Sequence, residues 1–485
     1  MFKPLKLTLW IAVFLVLACP VAILVVARLT NVPIDQAFGY TIDVLTGKKP
    51  LDGDRTPGEI NRYLQKRLSG HPKLESLFLP ALRHLQTNTE RPVPNIQFPT
   101  LGKGQQAVSL EKTDRNPDRT AASAEEIRQA TRAIQAGQIL EIKPGTYHLG
   151  GTIVTGNPGS ANAPITVRAS VPGSVIIELD STEGFQVVQP YWIFENLVLK
   201  GRCANDSLCE HAFHIVGKAH HTILRNNRIE DFNAHLKING NGLGDWPDDG
   251  IVQYNTLTNT RRRETYLPTT PFDLVGASRW LFADNIVSNF IKGQGDQISY
   301  GVFMKGAGWH GRIERNLIIC TLQDISQPGV RVGISFGSGG TGKPYCRDNK
   351  QCEHEHSGGI ASNNIVAHCN DFGIDVNRSR LITIAHNTLI NTSGIDVRQA
   401  PASARIYGNL LEGRIRARNG AQIKQEMNEI NSLGAMFESV DEIRLEWRNA
   451  PETVASTPLV THDFCNRPRA DATLPGAFAH SASCP

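Results

Sequence analysis

An asparagine set within short apolar runs returns at near-regular intervals through the middle of the chain: Asn227, Asn255, Asn285, Asn316, Asn364, Asn387 and Asn409. The steps between neighbours are 28, 30, 31, 48, 23 and 22 residues. A period of this size is the mark of stacked supersecondary units rather than a closed globule. The unit is β, because each Asn sits among Ile, Val, Leu and Thr bounded by Gly, Asn, Asp and Ser. Asparagine tolerates left-handed backbone, and its amide can bond the amide of the coil above. The expected fold is therefore all-β, a right-handed single-stranded parallel β-helix, with the 48-residue step holding one long inserted loop.

A solenoid absorbs 485 residues without splitting into several cores. The net charge of +4 and a pI near 8.5 are mild. Basic residues are dispersed and aromatics make up only 7%, so nucleic acid is not an expected partner. Leu7 to Ala27 is an uncharged apolar run long enough to span a bilayer, and Lys3 and Lys6 precede it. "VLAC" ending at Cys19 loosely resembles a lipobox, but the apolar run continues beyond it, so a signal anchor is preferred. That predicts a single-pass inner-membrane protein with its body in the periplasm. Eight cysteines lie beyond the anchor. Their spacing favours bridges Cys203–Cys209, Cys346–Cys352 and Cys465–Cys484, and Cys320 and Cys369 follow their rung asparagines closely enough to stack.

The organisation expected is a cytoplasmic tail (1–6), a transmembrane helix (7–27), a helical spacer and linker (28–120), the β-helix (121–420) and a C-terminal cap (421–485). Within the spacer, Thr56 to Gln86 has helical periodicity broken at Gly70-His71-Pro72. A helix opening at Ser123 with Glu126 three positions on has a capping box and is placed to cover the first coil. The segment after 421 is expected to cap the far end.

Aligning the strands that precede the Asn-bearing ones ("AFHIV", "LKING", "FDLVG", "VFMKG", "ISFGS", "IDVNR", "IDVRQ", "IRARN") puts Ile, Leu, Val and Met inward. One outward column then holds His214, Lys237, Asp273, Phe303, Ser335, Asp375, Asp396 and Arg416. A second holds Asn239, Lys305, Asn377, Arg398 and Arg418. A face mixing Lys and Arg with Asp and Asn suits an acidic sugar chain and a cation, although outward positions of any solenoid are polar. Asp375 and Asp396 stack about one strand spacing (~5 Å) apart, which demands a cation between them, either Arg398 or Ca2+. "CRDNKQCEHEHSGG" (346–359) reads as a lid or a weak metal loop, "RRRE" (261–264) as a solvated turn.

Two stretches carry a resemblance. "ILEIKPGTYHLGGTIVTGNPGSANAPITVRASVPGSVIIELDSTEGFQVVQPYWIFENLVLKG" (139–201) resembles the opening coils of the chondroitinase B and alginate lyase group of polysaccharide lyases, and "DFCNRPR…PGAF" is similar to the closing segment of secreted β-helix proteins. The resemblance implies β-elimination on an acidic, uronate-containing polysaccharide. A Lys takes the C5 proton, an Arg assists, and the uronate carboxylate is neutralised, often by Ca2+. It points to Lys237 and Lys305 as bases and to Arg398 as the carboxylate or leaving-group residue. His214, Asn239, Asp273, Asn377, Arg416 and Arg418 would bind substrate, and Asp375 and Asp396 would hold the metal. One departure stands out: "YGVFMKGAGWHG" places Lys305 where those lyases carry an Arg. A lyase or C5-epimerase is the first expectation. A non-catalytic glycan-binding or envelope scaffold is the second.

Overall fold

The computed structural model describes residues 115–322, 329–348, 351–440, 442–480 and Cys484. The expected anchor and helical spacer lie outside those residues, and no described helix is long and apolar enough to cross a membrane. Three parallel sheets of 12, 11 and 10 strands dominate, called here A, B and C. The chain visits them in the order A, B, C and then climbs one strand, so each sheet pairs residues a full coil apart. This is a parallel β-helix.

Short strands suffice because every second side chain enters one continuous core. Leu224, Val252, Phe282 and Ile313 stack in sheet A, and Phe213, Leu236, Phe272, Val302 and Ile334 line the inside of sheet C. Each fully buried Leu, Ile or Phe contributes about 1.5–3 kcal/mol. A charged substitution at Ile334 would therefore open the core between two coils.

The repeated asparagines sit at the corner where sheet A turns into sheet B, and they bond as a continuous ladder. The Oδ1 of Asn316, for example, accepts from the backbone N–H (2.9 Å) and side-chain amide (3.1 Å) of Asn285. The Asn316 amide in turn donates to Asn364 at 2.9 Å. The run begins at the Leu197 N–H and extends to Asn428, one coil beyond the sequence-level repeat. Left-handed backbone belongs not to the ladder Asn but to the residue before it. Asn226, Tyr254, Asp284, Arg315, Asn363, His386 and Gly408 all have φ between 53° and 60°.

The helix Ala124–Ala133 covers the first coil as expected, with Ser123 accepting from the Glu126 N–H and with Ile127 and Thr131 buried. The other end differs from expectation. Gln422–Glu426 and Glu429–Ile430 are strands of one more coil, so the solenoid runs ten residues past 420. The segment beyond them does not cap it. Leu433, Met436, Phe437, Phe464 and Phe478 instead cover the outward side chains of sheet B, among them Ile319, Ile365, Ile390 and Leu410. That outer face is apolar and has to be covered; the last coil carries Arg, Lys and Glu along its edges and does not. All four expected disulfides are present.

Candidate functional site

Sheet C forms the floor of a groove because long loops leave both ends of its strands. Residues 202–210, 259–271 and 289–297 enter the sheet on one side. Residues 155–164 and 240–250, and residues 337–348 after Phe336, leave it on the other. Along the floor, the outward column read from the sequence is in true register: His214, Lys237, Asp273, Phe303, Ser335, Asp375, Asp396 and Arg416 pair in turn. Core alternation alone fixes that register, since a one-residue slip would turn every apolar side chain outward.

Two charged clusters occupy this floor. In the first, Asp273 is buried and shared by two lysines. Lys237 Nζ donates to Oδ2 at 2.5 Å, and Lys305 Nζ lies 3.4 Å from Oδ1. Lys305 also donates to the Gly339 carbonyl (2.7 Å) and sits over the Phe303 ring. Burial pushes the Asp273 carboxyl up, but the Lys237 and Lys305 ammoniums outweigh it and hold it well below the usual range. Burial, with Lys237 as a like charge, lowers Lys305 against the pull of Asp273. The Lys305 side chain is only 8% exposed and Lys237 is 22% exposed, so Lys237 is the one a ligand meets. His214 continues the cluster, bonded to Glu183 (2.9 Å) and to Asn239 Oδ1 (3.0 Å).

In the second cluster Arg398 bonds Asp375 through two nitrogens, at 2.8 and 3.1 Å. Ser335 donates to the same carboxylate at 3.1 Å. Asp396, fully buried, takes Arg416 (2.7 Å) and Arg418 (2.8 Å). Complete burial raises the Asp375 carboxyl although Arg398 opposes the rise. Tyr300, stacked on Phe303 at 4.3 Å, is pushed up to about 12 by burial and by Asp375. The two stacked aspartates thus have arginines as counter-ions. Their oxygens are committed to guanidinium donors, and the donor set as it stands does not fit Ca2+. Asn377 is beside Arg398 in register, and its buried Oδ1 has no hydrogen bond among the described residues.

The clusters do not meet. Lys305 and Arg398 lie three strand steps apart in sheet C, about 14 Å at ~4.8 Å per step. Arg398 reaches back one coil towards Asp375, which still leaves it beyond contact with the lysines. The candidate bases and the candidate carboxylate binder form separate stations along one groove.

The loop after Phe336 behaves as a cover. Besides the Gly339 carbonyl on Lys305, Arg347 bonds Asp248 at 2.6 and 2.8 Å and lies 4.2 Å over Trp309. Glu355 accepts the Gly306 N–H at 3.0 Å. His356 accepts the Gly311 N–H through Nε2 at 3.0 Å. The one described group with metal-like spacing, Cys346, Asp348 and Cys352, has its thiols in a disulfide. "RRRE" is not a solvated turn: Arg263 is buried on Asn233 and Asp206, and Arg261 also bonds Asp206. Sequence reading missed Glu183, Gly339 and the Arg347–Asp248 strap. Glu183 lies on an earlier strand than those aligned, and the other two depend on how a loop folds back.

The chondroitinase B family model matches residues 121–241, about a quarter of the chain, and so bears out the resemblance of the opening coils. Among solved structures, pectate lyase Pel9A is similar at a TM-score of 0.51 and 15% identity, covering 76% of this chain and 98% of its own. A rhamnogalacturonan lyase gives 0.42 and 13%, covering 75% and 96%. An alginate lyase from Paenibacillus sp. str. FPU-7 gives 0.41 and 15%, covering 65% and 97%. No curated protein sequence matches.

Proposed function

We propose that the sheet C groove binds an acidic, uronate-containing polysaccharide and acts on it by lyase chemistry, β-elimination or the related C5 epimerisation. The observation that carries this reading is the Lys237–Asp273–Lys305 cluster on a walled groove floor. Within that trio two lysines share one buried carboxylate, so the partly exposed Lys237 ammonium can still meet a uronate, with the Glu183 and Glu210 carboxylates beside it. Burial and the like charge of Lys237 lower Lys305, the direction a general base requires. Lys237, the more exposed, is assigned the C5 proton on its reach alone. The electron pair then forms the C4–C5 double bond, the C4–O bond breaks, and the leaving oxygen takes a proton. Arg398, Arg416 and Arg418, with His214, Asn239 and Asn377, hold neighbouring sugars along the floor.

The body is proposed to be exported and held at the inner membrane by the apolar run Leu7 to Ala27. Four disulfides support an oxidising compartment.

The test is incubation of the full-length protein with alginate, pectate and chondroitin, following absorbance of the unsaturated product. Product that disappears in Lys237→Ala supports the lyase. Binding without product supports a second reading, a glycan-binding groove without turnover. That reading is favoured by the Gly339 carbonyl over Lys305 and by the ~14 Å between the clusters. Neither product nor binding on any uronate polymer removes both.

A further inference from the structure

Four successive turns out of sheet C border an open cleft, on the wall rather than the floor. It has a volume of about 420 Å³ and is lined by Pro158, Pro190, Lys218, His220, Asp245 and Trp246. That volume falls within the range of small-ligand sites. None of these residues belongs to the clusters of the floor.

Trp246 is held in place by two glycines. A Cβ at Gly276 would lie 2.1 Å from its ring and one at Gly240 2.6 Å, so neither coil tolerates a side chain under the indole. The Arg347 guanidinium sits 5.3 Å from the same ring. The indole is only partly buried and lines the cleft together with the two prolines. Flat aromatic and pyrrolidine surfaces suit the C–H faces of a sugar ring.

The polar groups are equally particular. Lys218 is exposed, and its ammonium has no hydrogen bond or ion pair among the described residues. The groove lysines, by contrast, are already bonded to Asp273. Asp245 uses Oδ2 on Asn241 at 2.9 Å and keeps its other oxygen. His220 shares its Nδ1 with His221 at 2.8 Å, which leaves Nε2. Burial and the neighbouring His221 lower its pKa, so it is a neutral hydrogen-bonding group near pH 7. A cation, a carboxylate oxygen and a neutral imidazole around an indole fit a ring bearing both hydroxyls and a negative charge.

We propose that this cleft is a binding subsite for one anionic sugar residue, a uronate, stacked on Trp246 with its carboxylate on Lys218. The identity of the sugar rests on the groove's reading as a binder of acidic polysaccharide. The subsite itself requires no turnover. It gives the chain a grip outside the floor, at the end of the strands that carry His214 and Lys237.

Isothermal titration of the full-length protein with tetragalacturonate, tetramannuronate and neutral cellotetraose tests it. Lys218→Ala, a surface change, is expected to weaken binding of an acidic tetramer about tenfold and to leave cellotetraose unchanged. Trp246→Leu is expected to weaken both kinds. Lys218→Ala within twofold of wild type for both acidic tetramers overturns the proposal, as does a wild type that binds neither. Lys218-dependent affinity without any unsaturated product removes the lyase reading and keeps the subsite. Product that needs Lys237, with affinity indifferent to Lys218, does the reverse.

Discussion

Replacing Asp273 by asparagine keeps the shape of the side chain and removes the charge shared by Lys237 and Lys305. The Lys305 ammonium then stays buried, with the Gly339 carbonyl as its remaining acceptor. At 3.4 Å and an effective dielectric of ~20, the lost attraction is about 5 kcal/mol. Breaking a buried pair by removing one partner costs about 3–5 kcal/mol. Lys305 can limit the damage by shedding its proton. Taking a lysine from its ordinary pKa to neutral at pH 7 costs about 4.6 kcal/mol, which sets a similar ceiling. The expected loss is therefore about 3–5 kcal/mol, most of it recovered when Lys305→Met is added. The signs with pH also follow. Asp273 is depressed in the fold, so its contribution is present above the unfolded carboxylate value of about 4 and is lost as pH falls through the lower folded value. Asp273→Asn lacks that acid limb. Lys305 is lowered in the fold, so the folded state binds fewer protons than the unfolded, and the variant should regain stability as pH rises from 7 towards 10. Because coils of a solenoid can open separately, urea unfolding should be paired with hydrogen exchange across Phe272–Val275 and Ile298–Lys305. A single variant within about 1 kcal/mol of wild type, or a double variant no better than the single, would refute the reasoning.

Asn316→Ala removes the acceptor of two Asn285 donors and the donor to Phe282 O, all fully buried, and should cost about 3–5 kcal/mol by chemical denaturation. Asn428→Ala, at the half-buried end of the ladder, should cost about 1 kcal/mol or less; equal losses would contradict the ladder account. Adding Ca2+ or a chelator should leave the thermal midpoint unchanged, because arginines already neutralise Asp375 and Asp396; a Ca2+-dependent rise would show a site that this donor set does not form. Arg347→Ala should release the cover loop, seen as faster protease cleavage near Tyr345 with a global stability change under about 2 kcal/mol. Unchanged cleavage would mean that Arg347 is not what holds the loop.

Much of the groove floor was legible in the sequence because alternation against the core leaves no freedom in which side chains face out. His214, Lys237, Asp273, Asp375 and Arg416 share one column by that rule alone. Which partner each would choose was not legible. Arg398 turns back a coil to Asp375 and Lys305 is covered by Gly339, because both choices depend on neighbouring coils and a folded loop. Asn428 escaped notice because exposed Met427 and half-buried Glu429 surround it instead of an apolar run. Arg263 looked solvated because its partner Asp206 lies 57 residues earlier. The C-terminal segment was misplaced because nothing in its own residues says that sheet B has an apolar outer face.

The steps between successive asparagines of the repeat vary from 22 to 48 residues, yet the backbone bonds that join them stay between 2.8 and 3.0 Å. Loop length and floor spacing are therefore independent variables in this molecule. An insertion at either wall changes what stands over the groove without moving Lys237, Asp273 or Arg398 relative to one another. A lineage built this way can alter which sugars reach the floor by lengthening or trimming loops, while the ladder preserves the distances on which any chemistry there depends.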